Sequence, residues 1–434
     1  MRYPVAALLI AVFGISTALT APIASCQTYN YSTIYNFTGG ADGYQVSGLY
    51  QGPGGNLYAT TDSTFDNGPT VGNGAIVEMS ETTHAVSIVD SLPSGAGLPE
   101  IPEGPFYFDS RGNLYGLSVY GGPANAGTFF EIPAGAHSAT LLTSFTGTDG
   151  DNPFAPGLIS DSSGNLYATA YFGGIGFTGT INTGFGTLFK IAAGTNTISD
   201  LTQFNGADGE NPGGKLLIDS SGDIFGVTAQ GGTNHDGTLY ELPNGSNTLK
   251  TLFNFTDADA FPSGGVIADS QGNLYGVTGG ELGGGGPGGY GTIFKFNIKN
   301  QQLSTLFTFN GTDGGSPGGE LYLSPSGNLF GTAGFNGEFG LGNIFEFNPQ
   351  SNALTILHSF SDSNGSTDGI FPSSSLIADA QGDLYGTGGH GGIYGEGTIF
   401  ELTAVPEPGA IALLAFAGVG FAIRRFRGDR TEQT

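Results

Sequence analysis

Short apolar runs, broken by clusters of Gly, Asn, Asp and Ser, succeed one another along most of the chain, and no stretch of the body holds a 3.6-residue period. The stretch around Asn165 shows the unit. Gly157-Leu158-Ile159 leads into the turn cluster Asp161-Ser162-Ser163-Gly164-Asn165 and the run Leu166-Tyr167-Ala168-Thr169-Ala170. A Gly-rich loop from Phe172 to Gly184 follows, then Gly186 to Ile191, a turn near Gly194, and Ile198 to Phe204. Runs of strand length, rich in β-branched and aromatic residues and separated by turn formers, predict four antiparallel strands per unit.

The unit recurs. Its turn and second strand return at Asn56-Leu57-Tyr58, Asn113-Leu114-Tyr115, Asn165-Leu166-Tyr167, Asp223-Ile224-Phe225, Asn273-Leu274-Tyr275, Asn328-Leu329-Phe330 and Asp383-Leu384-Tyr385, in steps of 57, 52, 58, 50, 55 and 55 residues. A period in this range marks a solenoid, a propeller or an array. Third-strand runs begin at Gly74, Gly127, Gly186, Gly237, Gly291, Gly342 and Gly397. The body opens on a fourth-type strand, Thr33 to Phe37, and finishes on a third-type strand, Gly397 to Leu402. One unit is thus split between the two ends. The expectation is an all-β fold over residues 28–402: a seven-bladed β-propeller of four-stranded antiparallel blades, closed by the N-terminal strand. An open β-solenoid is the alternative, and it has no use for a split unit.

Composition agrees with an all-β, turn-dense chain: 79 of 434 residues are Gly, without a Gly-X-Y period, and 12% are aromatic. The formal net charge is −26, and only Arg111, Lys190, Lys215, Lys250, Lys295 and Lys299 are basic between Thr28 and Leu402. Such a body repels nucleic acid and anionic lipid, because phosphate binding needs Lys and Arg to displace counterions. One cysteine, Cys26, excludes a disulfide framework and a Cys-based zinc site.

The two ends read as addresses. Residues 1–26, with Arg2, the apolar run Val5 to Leu19 and then small residues, predict a signal peptide. Ala24-Ser25-Cys26 fits an ordinary cleavage site, and Ile23-Ala24-Ser25-Cys26 also resembles a lipobox with Cys26 as the lipid carrier. Residues 403–434 hold Pro406-Glu407-Pro408, an apolar run from Ala410 to Ile423, and Arg424, Arg425, Arg427 and Arg430. The run is short for a hydrocarbon core of about 30 Å, and the Arg cluster would remain cytoplasmic. A plain tail anchor is one reading. The order of the three features resembles the PEP-CTERM sorting signal, which implies membrane attachment only through this segment, removal of the tail by an exosortase-type protease, and association with extracellular polysaccharide.

Within the body, Leu252-Phe253-Asn254-Phe255, Asp269-Ser270-Gln271-Gly272-Asn273-Leu274-Tyr275-Gly276 and Gly291-Thr292-Ile293-Phe294 resemble the GloVer (Gloeo/Verruco-type) tandem repeat of exported bacterial proteins. That resemblance implies export and repeat architecture and brings no assigned activity. The second copy departs most, with Ser94-Gly95-Ala96-Gly97 where others have Asp-Gly.

In a four-stranded antiparallel blade, second-to-third and fourth-to-first loops leave on one side. The former are long and varied, so a ligand site is expected on that face, over the central channel. The fourth-to-first loops carry Asp42, Asp149, Asp208, Asp257, Asp259, Asp313 and Asp368. These form either a carboxylate ring able to hold Ca²⁺ or ordinary Asp-Gly turns; no Asp-x-Asp-x-Asp-Gly calcium loop occurs. Asp109, Asp161, Asp219, Asp269 and Asp379 recur in the short hairpin and predict Asx turns. No dedicated metal site or cofactor is expected, Ca²⁺ aside.

Catalytic signatures are thin. His235 and His390 lie in long loops of different units, His84 and His137 near short turns, and His358 in a fourth strand. Gly314-Gly315-Ser316-Pro317-Gly318 matches a nucleophile elbow, and Gly283, Gly285 and Gly288 a dinucleotide fingerprint, yet neither precedes a predicted helix. Tyr44, Tyr120, Tyr171, Phe172, Phe177, Phe261, Tyr290, Phe335, Phe339 and Tyr394 are loop aromatics, either stacked on sugar or packed on their own blades. The reading is a non-enzymatic exported or surface protein that binds or organises extracellular polysaccharide or a partner protein. A glycan hydrolase or lyase using a paired carboxylate and a purely structural envelope protein are the alternatives.

Overall fold

A computed structural model describes residues 28–405, apart from 63–73, 93–97, 154–156, 257–258, 280–285, 287, 363–366 and 373. The predicted signal peptide with Cys26, the Pro406-Glu407-Pro408 motif and the Arg tail lie outside the described residues. The described residues are β-strands and turns with one short 3₁₀ turn, Pro53–Gly55, and no helix among them is long and apolar enough to cross a membrane.

The strands group as the sequence period requires. Unit A holds Tyr44–Gln51, Leu57–Asp62, Ala75–Met79 and Val86–Ser91, and unit B Pro99–Phe108, Leu114–Gly121, Thr128–Ile132 and Thr140–Ser144. Unit C holds Ile159–Ser160, Leu166–Ala170, Thr187–Ile191 and Ile198–Gln203. Unit D, Glu210–Ile218, Ile224–Gln230, Thr238–Leu242 and Lys250–Asn254, joins unit E, Pro262–Ala268, Asn273–Thr278, Thr292–Asn297 and Gln302–Thr308, through one parallel pair, Lys215 with Gly265. Unit F has a first strand in two pieces, Gly315–Pro317 and Tyr322–Leu323, then Leu329–Phe335, Asn343–Asn348 and Ala353–Ser359. Unit G has Gly369–Ile370 and Ile377–Ala378, then Leu384–Gly388 and Thr398–Ala404, and its outer strand is Tyr29–Asn36 from the other end of the chain. That pairing runs from Tyr29 opposite Ala404 to Asn36 opposite Thr398.

Two repeated devices explain the sequence signature. The first is a socket. In the second strand, Gly116, Gly276, Gly331 and Gly386 are extended, so turn geometry does not explain them. A Cβ there would lie 2.5–2.6 Å from the ring tip of Phe130, Phe294, Phe345 or Phe400 on the third strand. The small residue of one strand receives the aromatic of the next, and unit A trades both sizes, pairing Ala59 with Val77. The same third-strand residues sit beside a register shift against the fourth strand, as between Ile293 and Phe294, a β-bulge that sharpens twist.

The second device is packing between units. Apolar clusters lie between successive sheets, for example Phe225, Val227 and Leu239 of unit D with Val266, Leu274 and Phe294 of unit E. A cluster of the same kind joins Val46, Leu49 and Val77 of unit A to Tyr385 and Ile399 of unit G. The inner strands meet backbone to backbone instead. A Cβ on Gly264 would lie 2.5 Å from Gly319 O, and one on Gly319 2.7 Å from Ser374 O. Across this junction Lys215 Nζ of unit D reaches Glu320 Oε2 of unit F, 3.0 Å away.

The expected Asx turns form. Asp161 Oδ1 accepts from Ser163 N at 2.8 Å and Asn165 N at 3.0 Å, and Asp269 Oδ1 from Gln271 N at 2.8 Å and Asn273 N at 2.9 Å. Asp109, Asp219 and Asp379 repeat the pattern, and in unit F Ser324 Oγ takes the acceptor's place. Burial works against the Asp161 and Asp269 carboxylates, yet these donors hold both below the ordinary value.

Candidate functional site

Second-to-third loops and fourth-to-first turns do share a face, because they hydrogen-bond to each other. Gly174 N donates to Gly147 O (3.0 Å), Gly232 N to Gly206 O (2.8 Å), Gly337 N to Gly311 O (2.8 Å) and Gly392 N to Asp368 O (2.8 Å). The third strand ties the same turns from below: Thr187 and Thr238 hydroxyls donate to Asp149 O and Asp208 O, and Asn343 Nδ2 to Asp313 O.

The aspartates of these turns satisfy donors of their own loops. Asp42 accepts from Thr38 N (2.9 Å), Thr38 Oγ (2.6 Å) and Tyr35 Oη (2.9 Å). Asp149 accepts from Thr146 N (2.7 Å), Asp208 from Asn205 N (3.0 Å) and Asp313 from Asn310 N (2.8 Å). Asp259 accepts from the Thr305 hydroxyl at 2.7 Å, and Asp257 lies outside the described residues. Asp368 Oδ2 stands 3.4 Å from His358 Nε2. Burial holds His358 below the ordinary histidine value against the pull of that carboxylate. Among the described residues no group of three or more His, Cys, Asp and Glu is gathered to hold a metal ion.

The feature that sequence reading missed is the residue entering each first strand. Gln45, Ile101, Asn152, Asn211, Phe261, Ser316 and Phe371 all stand in left-handed backbone, with φ between 54° and 57°. All but Gln45 precede a proline. The conformation has a purpose: it turns the N–H toward the preceding unit. Asn152 N donates to Ala126 O, Asn211 N to Phe185 O, Phe261 N to Asp236 O, Ser316 N to Tyr290 O and Phe371 N to Leu341 O, all at 2.9–3.1 Å. Gln45 N does the same to Glu396 O of unit G at 3.0 Å. The following proline rests on the glycine that opens the neighbour's third strand; a Cβ on Gly127, Gly291 or Gly342 would lie 2.5–2.7 Å from Pro153, Pro317 or Pro372. The recurring Pro102, Pro153, Pro212, Pro262, Pro317 and Pro372 were the available signal.

The side chains at this position change from unit to unit, and they touch second-strand exits. Asn211 Nδ2 donates to Tyr171 O at 3.0 Å. The Phe371 ring lies 5.1 Å from that of half-exposed Phe335 and 6.1 Å from the His390 ring, and Gln45 Nε2 is 3.3 Å from His390 Nε2. These four residues form one strip across units F, G and A.

Other expected contributors are placed elsewhere. The Phe177 ring covers Gly147 and the Tyr290 ring covers Gly311, so both brace their own loops. Phe339 and Tyr394 are 53% and 58% exposed, Phe339 at a shallow groove of about 490 Å³ along the outer strand of unit F with Ile356 and Glu338. His235 is exposed in a turn of unit D closed on Gly232 O, whereas His390 contacts Phe371 of unit G and Gln45 of unit A. Ser316 occupies the left-handed position before Pro317, and turn and strand follow it. The buried carboxyl of Asp151 accepts from Asn182 N through Oδ2, while Oδ1 has no protein partner. Burial pushes its pKa up.

Comparisons with known proteins bear on architecture. No curated protein sequence matches the chain. Among solved structures it is similar to the extracellular domain of a one component system from B. thetaiotaomicron, with TM-score 0.55 and 11% identity over 88% of this chain. The chain spans only 41% of that protein's length. It is similar to an oligogalacturonate lyase from Vibrio parahaemolyticus, with TM-score 0.53 and 12% identity over 88% of this chain and 98% of that one. It is also similar to a copper-bound fungal alcohol oxidase of the AA5 family, with TM-score 0.53 and 12% identity over 88% of this chain and 76% of that one. At such identities the likeness is one of fold alone, a repeat β-propeller-like fold. The Gloeobacter/Verrucomicrobia repeat model matches residues 178–285 and 280–425, more than half of the sequence, and the chain belongs to that repeat family.

Proposed function

We propose that the protein is an exported seven-bladed β-propeller, closed by its N-terminal strand, that binds extracellular polysaccharide through the long-loop face without turning it over. Support for closure comes from the pairing of Tyr29–Asn36 with Thr398–Ala404 and from the Gln45–Glu396 bond, which repeats at the chain ends the link made between other units. The observation that carries the binding role is the contrast at the first-strand entry. The backbone there is the same in every unit, while the side chain is Gln, Ile, Asn, Asn, Phe, Ser or Phe. A constant frame presenting changing side chains is the usual build of a recognition surface.

The full chain is to be screened for binding and turnover against neutral and acidic polysaccharides, with and without calcium. Retention of at least one polymer without product is expected; failure to retain any removes the proposal. A role as glycan hydrolase or lyase draws on Asp151, the buried carboxyl on this face whose pKa is raised. Turnover abolished by Asp151→Asn would promote that reading. Export rests on residues 1–26 and on the PEP-CTERM-like tail, removed by an exosortase-type protease. Mass spectrometry of the mature protein tests both ends: an intact tail contradicts removal, and a diacylglycerol on Cys26 replaces the ordinary cut.

A further inference from the structure

The left-handed first-strand entries of units G and A carry Phe371 and Gln45. Among the described residues glycine holds 48 of the 63 backbone sites with positive φ, and Asn, which tolerates the region, holds seven more. Only glycine enters that region without penalty, and for a bulky side chain it is a clear outlier. Yet Phe371 stands there with φ 54°. The inter-unit bond it makes uses only its N–H, which glycine would supply equally well. The ring is therefore retained for something the bond does not need, and strain held at a surface points to recognition.

What the ring builds is a row of flat and polar elements. Phe335, 39% exposed, tilts at 45° against Phe371. His390 meets the edge of Phe371, and Gln45 reaches the imidazole. Aromatic faces beside an amide and an imidazole suit a sugar ring, whose C–H face packs on the aromatic while its hydroxyls bond the polar ends. The charge selects among sugars. A net charge of −26 repels a polyuronate, and no basic residue of the body belongs to the strip.

We infer that Phe335, Phe371, His390 and Gln45 form a subsite for a neutral pyranose oligosaccharide, a refinement that rests on the polysaccharide-binding reading above. The subsite is assembled from units F, G and A together.

The test is calorimetry on the full chain with cellohexaose, laminarihexaose, mannohexaose and, as the charged counterpart, hexagalacturonate. At least one neutral hexaose should bind, and hexagalacturonate at least tenfold more weakly. Phe335→Ala and Phe371→Gly should each weaken the neutral ligand at least tenfold. Phe371→Gly should leave the melting temperature unchanged or higher, because glycine relieves the backbone, which separates lost recognition from lost folding. Phe339→Ala, in the outer groove, should alter affinity less than twofold. If a neutral glycan binds but Phe335→Ala and Phe371→Gly leave it untouched, or if Phe339→Ala abolishes it, the subsite is overturned and the wider reading survives. Preference for hexagalacturonate overturns the ligand class, and binding of no polysaccharide at all overturns both.

Discussion

Gly276→Ala is the sharpest test of the socket that links the second and third strands. The added Cβ would meet Phe294 Cζ at 2.5 Å on one side and Gly265 O at 2.9 Å on the other, so neither neighbour has free space to yield. Overpacking of this kind costs about 1–3 kcal/mol, offset by roughly 0.5–1 kcal/mol because alanine is less free than glycine in the unfolded chain. A net loss between about 0 and 2.5 kcal/mol follows. Phe294→Val alone, at a fully buried ring, should cost about 2–4 kcal/mol through lost burial and the cavity left behind. Together the changes reproduce the Ala59 and Val77 pairing of unit A, and the methyl group occupies part of the space the ring vacates. The double variant should therefore be less damaged than the sum of the singles by about 1–2 kcal/mol. Urea unfolding of the full chain at constant slope reads this directly. Additivity to within about 0.5 kcal/mol would refute the socket. Unit C already combines Ala168 with Phe189, both fully buried, and nothing in the structure explains why that ring accepts a methyl group.

Three further outcomes follow from other features. Lys215→Met leaves Glu320 buried without its cation and should cost about 1–3 kcal/mol at neutral pH, less than a deeply buried pair because Lys215 is part-exposed. Burial already raises the Glu320 pKa, opposed by Lys215, so the penalty for ionising it appears as pH rises past the ordinary glutamate value. The deficit should shrink toward pH 4, and adding Glu320→Gln should recover most of it in thermal melts; a deficit independent of pH refutes the account. Asp151 is likewise raised by burial, so its folded-state advantage lies at low pH and fades as pH climbs through its folded pKa. Asp151→Asn should gain on the wild type as pH rises above the ordinary aspartate value, and a parallel pair of pH–stability curves would contradict this. Gly291→Ala should cost about 2 kcal/mol or more, since φ is 95° and the Cβ meets both the Thr278 carbonyl oxygen and Pro317 Cδ, the latter at 2.7 Å. Pro317→Ala on the same background should recover only the part due to the proline ring, and full recovery would argue against backbone strain.

Strands that bury side chains were legible in the sequence, because β-branched and aromatic residues mark them. The runs Leu166 to Ala170 and Gly186 to Ile191 fall where strands form, as do Asx turns such as Asp269. The inner strands leave a weaker trace. Glu210–Ile218 and Pro262–Ala268 begin in Gly-rich sequence that carries no apolar pattern, since Gly264 and Gly319 meet through backbone. Nor does the sequence mark the Gly that closes phrases such as Asn273-Leu274-Tyr275-Gly276 as a receptacle for a ring. The candidate face was inferable from strand order alone. Which loop aromatics remain free was not, because the contact of Phe177 with Gly147, thirty positions away, leaves no local trace.

The partnership of Tyr29–Asn36 with Thr398–Ala404 has a consequence for biosynthesis. Tyr29–Asn36 is made before every other described strand and Thr398–Ala404 after them, so this pairing must wait until Ala404 has emerged. Until then Tyr31 and Tyr35 sit on an unmatched edge, the kind of surface that proteases and chaperones recognise. A polypeptide that stops before Thr398 never hides that edge, and so carries a built-in mark of its own incompleteness.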